Sequence, residues 1–153
     1  KIFYNMYSIK FDTNIIKGDE LIDIDLLNPH EKIIKRKQTK LTKFIKSFDE
    51  YYIISSILCC HKSHVIIDGH HRYFALKELG FKKVPVTKID YSSDLISTGP
   101  NGGGIPKDEI INKGVSNELF EPKSTQHLIY CSRSKAWYPV ILLSTMFKID
   151  TNN

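Results

Sequence analysis

Apolar and polar positions change period along this chain in short blocks, and the sharpest change falls between residues 65 and 86. Val65-Ile66-Ile67 is a β-branched run that stops at Asp68-Gly69. His70-His71-Arg72 then opens an amphipathic stretch that Gly80 closes, and Val84 to Ile89 is apolar again. That order predicts strand, tight turn, helix and strand. Upstream, Leu21 to Leu27 alternates apolar and acidic residues and meets Asn28-Pro29-His30-Glu31, which reads as a strand or turn delivering a loop. Tyr52 to Cys59 and Val65 to Asp68 are β-rich runs separated by His61-Lys62-Ser63-His64, a predicted hairpin. Ile34, Leu41, Phe44, Ile45 and Phe48 recur at helical spacing. Farther on, Ser97 to Ile105 is irregular and glycine-rich, suited to a mobile loop, an active-site lid or a plain linker. Pro106 to Lys113 predicts a short helix ended by Gly114, and strands are expected at His127 to Cys131 and Pro139 to Leu143.

Length and composition narrow this picture. A chain of 153 residues, 41% apolar and 25% charged, fits one globular domain over 1–153 with a core of its own. Its longest apolar runs are too short to span a bilayer, so no membrane role is expected. Cys59, Cys60 and Cys131 are odd in number and two are adjacent, which suits neither a disulfide framework nor a paired zinc site and points to a reducing, cytoplasmic setting. The net charge of +5 is concentrated: Lys32, Lys35, Arg36, Lys37, Lys40, Lys43 and Lys46 lie within fifteen residues that hold no acid. Those lysines suit a nucleic-acid face, and they equally suit the wet side of an amphipathic helix.

The junction at Asp68 to Arg72 carries the most chemistry. The first N–H groups of a helix lack internal partners and favour negative charge beyond the end. Gly69 permits close backbone approach, Arg72 offers a planar fork for phosphate oxygens, and His70 and His71 add ring donors. The same residues would also serve a solvated first turn with Asp68 as its cap. Two further spots bear reactive groups: Glu31, and Glu121-Pro122-Lys123-Ser124-Thr125-Gln126-His127, which packs an ammonium, hydroxyls, an amide and an imidazole together. Two anion-suited segments and isolated carboxylates suggest phosphoryl transfer, in which positioning and charge neutralisation do most of the work. Zinc is not expected, because adjacent histidines on such a turn are poorly placed to chelate one ion.

Val-Ile-Ile-Asp-Gly-His-His-Arg-Tyr, with Leu-Gly and Val-Pro-Val downstream, resembles the ParB/sulfiredoxin superfamily, whose members hold nucleotide phosphates on a Gly-x-x-Arg turn. With Asn-Pro-His-Glu before it and Pro-Lys-Ser-Thr-Gln-His after it, the chain is most similar to the free L-serine kinases. That resemblance implies an α/β (α+β) domain, a small mixed sheet with flanking helices, and phosphoryl transfer from ADP or ATP to the hydroxyl of free L-serine with Mg2+. It implies Glu31 as general base and Asp68 as an acid that orders the reacting groups or magnesium. It further implies Gly69, His70, His71 and Arg72 as the phosphate-holding turn, and Lys123, Ser124, Thr125 and His127 as the segment gripping phosphate or the amino-acid carboxylate. Magnesium would be held chiefly by phosphates, so no dedicated ligand cluster is expected.

The chain departs from that pattern in places. Gln126 stands where such kinases carry arginine, and the loop at 97–104 lacks an aromatic expected near the amino-acid pocket. His70 replaces the reactive cysteine of sulfiredoxins, which argues against sulfinic-acid reduction. The rival reading is a ParB-like DNA-binding protein or nuclease. It is motivated by the lysine-rich stretch, although the arginine-rich turn of partition proteins is absent and no helix-turn-helix follows.

Overall fold

Residues 11–35 and 51–150 are described by the computed structural model. The expected amphipathic lysine helix falls, from residue 36 on, outside the described residues. In chain order the strands are β1 (Ile16–Asp23), β2 (Tyr51–Ser55), β3 (Ile57–Cys60), β4 (Ile66–Asp68), β5 (Lys83–Ile89), β6 (Ile96–Ser97), β7 (Leu128–Cys131), β8 (Ala136–Pro139) and β9 (Met146–Asp150). Helix α1 spans His70–Glu78 and helix α2 spans Lys107–Val115. The main sheet runs β1-β5-β3-β4 and is mixed, as expected: β3 and β5 are parallel, while β1–β5 and β3–β4 are antiparallel.

Every residue of β3 is buried, because both faces of the sheet are covered. Ile57 and Cys59 join Ile66, Val84, Val86, Tyr73 and Leu76 in a core beneath α1. Leu58 and Cys60 point the other way, with Val65, Ile67, Ile89, Ile110 and Ile129, into a core shared with α2 and β7. A continuous apolar run without a polar alternate is the sequence mark of such a strand. All three cysteines are buried, with no disulfide among them.

The hairpin at His61–His64 is present, but the run Tyr52 to Cys59 is not one strand. Ser56 breaks it, donating its N–H to the Thr145 carbonyl and sharing its hydroxyl with Thr87. β2 thereby leaves the main sheet and pairs with β9. Helix α1 ends as its sequence predicts: Gly80 at φ +83° lets Phe81 N–H bond the Leu76 carbonyl and Gly80 N–H the Lys77 carbonyl, with Phe81 and Leu76 in one core. The expected strand Pro139–Leu143 is instead the end of β8 followed by a 3-10 turn, Val140–Leu143, which buries Val140 and Leu143 and leaves Ile141 and Leu142 exposed. That i, i+3 burial is a helical period which an unbroken apolar run conceals.

Beyond the β4 edge the sheet continues through irregular chain. Ile66 N–H bonds the Asn28 carbonyl and Asn28 N–H the His64 carbonyl. Phe120 N–H then bonds the His30 carbonyl, and Lys32 N–H bonds the Phe120 carbonyl. Residues 28–32 thus lie between β4 and Phe120, forming isolated bridges on either side. This arrangement brings segments from three parts of the chain to one end of the sheet.

Candidate active site

A cleft of about 480 Å³ opens at that end. Glu31, Asp68, Gly69, His70, His71, Arg72, Lys123, Thr125 and His127 all line it. Of the residues expected there, only Ser124 lies outside the lining: it is exposed, and its hydroxyl closes the turn onto the Glu121 carbonyl. No residue of the glycine-rich loop after Ser97 lines the cleft. Its Thr98 carbonyl accepts Gln126 N–H and ties the loop to the late turn.

Gly69 is the hinge of the strand-to-helix turn. It sits at φ +105°, and a Cβ there would stand 2.7 Å from Arg72 Nη2, so both backbone and space demand glycine. It is also the residue before α1, and no side chain caps that helix, which excludes the cap role open to Asp68. Asp68 instead pairs with Arg72, Oδ2 to Nη2 at 3.3 Å. Arg72 Nη2 also reaches the Ser56 carbonyl at 3.3 Å, whereas its Nε is sealed from solvent without a partner. Burial lowers the Arg72 pKa while the Asp68 charge opposes that shift. Part of the guanidinium fork is therefore committed inside the protein, and an orphan donor remains beside an uncapped helix start.

The histidines differ most from expectation. His70 is buried and its Nε2 accepts the His30 N–H at 3.0 Å; His71 Nε2 accepts the Ile34 N–H at 3.0 Å. An accepting Nε2 carries no proton, so neither nitrogen is a donor to phosphate. Burial holds the His70 pKa well below the usual imidazole value, and nearby His30, His127 and His71 add to the effect. His127 is likewise buried, its Nε2 2.7 Å from Tyr91 Oη, and burial depresses its pKa to about 3. Sequence patterning missed His30, which is fully buried at the centre of this group. His30 Nδ1 donates to the Ile66 carbonyl, its ring meets His70 edge-on at 4.5 Å, and burial lowers its pKa to about 4. Its position after Pro29 in the bridging segment is fixed by sheet pairing, which leaves no local periodic signal.

Glu31 is 9% exposed and holds the opposite wall. Its Oε1 accepts Lys123 N–H at 2.7 Å, and its Oε2 accepts Thr125 N–H at 3.3 Å and Thr125 Oγ1–H at 2.9 Å. Lys123 adopts φ +60° in the turn so formed. A carboxylate has about four acceptor sites, so roughly one is left for another partner. Ile67, Pro139, Val140 and Ile141 give the cleft an apolar side that sequence reading did not foresee. Among the described residues no cluster of His, Cys, Asp or Glu could hold a metal by itself, and no helix is long and apolar enough to cross a membrane.

The fold is shared with solved free serine kinases: one in complex with AMP superposes with a TM-score of 0.63 at 14% identity, covering 82% of this chain and 92% of that one. A mutant free serine kinase in complex with ADP gives the same TM-score at 15% identity. In sequence, the chain is 45% identical over 74 residues to an ATP-dependent L-serine kinase of Staphylothermus marinus, covering 46% of this chain and 29% of that protein. It is 34% identical over 91 residues to an ADP-dependent L-serine kinase of Thermococcus kodakarensis, 56% of this chain and 36% of that protein. A ParB-like protein of Sulfolobus acidocaldarius is 34% identical over 70 residues, 46% of this chain and 34% of that protein. The chain thus spans about a third of the length of the curated relatives it matches. No family model matches it.

Proposed function

We propose that this chain is a single phosphotransfer domain, working in the cytoplasm, that moves a phosphoryl group from ADP or ATP to the hydroxyl of free L-serine, giving O-phospho-L-serine. The observation that carries the reading is the convergence of Glu31, the Asp68–Arg72 turn and the Lys123–Thr125 turn on one cleft. Similarity to ATP- and ADP-dependent L-serine kinases supports the donor and acceptor classes. The helix start and Arg72 receive the nucleotide phosphates, and the apolar side at Pro139–Ile141 leaves room for a base. Glu31 accepts the proton of the serine hydroxyl on its remaining site, since a primary alcohol is a poor nucleophile until a positioned base takes that proton.

Magnesium suits this site as a phosphate-borne ion: Asp68, 37% exposed and lining the cleft, supplies one carboxylate, and Mg2+ ordinarily keeps several waters. When bound, the ion neutralises charge on the transferring phosphoryl group. Lys123, exposed at the rim, adds a mobile positive charge for phosphate or the amino-acid carboxylate. Gln126 lines the same cleft without charge.

The test is phosphoserine formation by purified protein with serine, Mg2+ and either ADP or ATP. Glu31→Gln should lower the rate by about 10²- to 10⁴-fold while ADP still binds. No phosphoserine with either donor, together with DNA binding that weakens steeply with salt, would sink the kinase reading in favour of a DNA-associated one.

A further inference from the structure

The first turn of α1 holds Glu31 as well as facing the cleft. His70 and His71 project from adjacent positions about 100° apart around the helix, and each spends its Nε2 on a backbone N–H of the segment that carries Glu31. His70 takes the N–H of His30, the residue before Glu31, and His71 takes that of Ile34, three residues after it. Two attachment points bracket Glu31 and fix both the place and the direction of its backbone. On its other side the segment is held by Phe120, through the His30 carbonyl and the Lys32 N–H.

We propose that His70 and His71 are positioning residues for Glu31, which tie the alignment of the base to the turn that receives the nucleotide. The inference rests on the reading of Glu31 as a base. The rings act as acceptors, so each must be neutral with its proton on Nδ1. A glutamine amide oxygen accepts an N–H from a similar reach, whereas leucine fills the volume and accepts nothing.

The experiment compares His70→Leu, His71→Leu, His70→Gln and His71→Gln by phosphoserine kinetics, ADP binding and amide hydrogen exchange. The leucine variants should lose about 10- to 100-fold in kcat, as a displaced reacting group does, with ADP affinity within about twofold of the parent. The glutamine variants should recover most of that loss. The amides of His30 and Ile34 should lose exchange protection in the corresponding leucine variant and keep it in the glutamine variant, a readout that needs no activity. Unchanged amide protection in folded leucine variants overturns the proposal, as does a fall in ADP affinity that matches the fall in kcat. If His70→Leu does not fold, His71→Leu and the glutamine pair decide alone. Amide losses as expected in a protein that makes no phosphoserine would defeat the kinase reading and leave the attachment standing.

Discussion

The turn at Asp68–Arg72 leaves the end of a strand in the main sheet and passes into a helix whose inner face lies in the core, whereas the turn at Lys123–Thr125 is held largely by one carboxylate. Both were expected to grip anions, but they are built differently. In the first, the backbone is set by Gly69 at φ +105° and by the packing of Arg72 across it. In the second, two N–H groups and a hydroxyl point inward to Glu31. A turn that belongs to the core can be read from local sequence. A turn organised by a distant side chain becomes visible only when the chain is folded.

The largest expected effect loosens both turns together. His30, His70 and His127 lie within one buried ring cluster and are neutral when folded, with pKa values of about 4 for His30, about 3 for His127 and a depressed value for His70. Once unfolded, each ring takes a proton below about pH 6.5, so the unfolded state binds more protons and stability falls as pH falls. Stability should therefore fall steeply from about pH 6 toward about pH 4 as the unfolded rings take up protons that the folded ones do not. Urea unfolding across that range checks this, and a flat profile would mean that the rings are already solvated.

Glu31→Ala separates the two turns. It strips the acceptor from Lys123 and Thr125 and should cost about 2–3 kcal/mol. In exchange measurements the amides of Lys123 and Thr125 should open while Tyr73 stays protected; equal loosening of both turns would break the contrast. Gly69→Ala is the converse change. It forces a side chain into a left-handed backbone and against Arg72, at about 1–3 kcal/mol, and should weaken ADP binding without exposing the Lys123 amide. Ser124→Ala is the smallest: an exposed hydroxyl bonded within its own turn should matter by less than about 0.5 kcal/mol, seen as an unchanged denaturation midpoint.

The same contrast explains what the sequence disclosed. The strand, turn and helix from Val65 to Gly80 were legible because a β-branched run, a left-handed glycine and a Schellman ending are local signals. The placing of Glu31, Asp68 and Thr125 in one cleft came through ordered motifs resembling a known family rather than through periodicity. The break at Ser56 was hidden, because it answers to Thr145 and Thr87 from far along the chain. The 3-10 turn after Pro139 was hidden because four consecutive apolar residues show no period. The accepting role of the two histidines was hidden for a third reason: a ring nitrogen donates or accepts according to its partner, and the partners of their Nε2 atoms lie about forty residues upstream, in the 30–34 segment.

The bridging segment at 28–32 has a geometric corollary. Because it lies beside β4 on one side and Phe120 on the other, the elements that lead into the two turns flank the segment carrying Glu31, and the pairing acts as a ruler. Neighbouring strands stand about 4.8 Å apart, so backbone hydrogen bonding sets the spacing of β4, the segment carrying Glu31 and Phe120. The intervening loops can lengthen or shorten without altering that gauge.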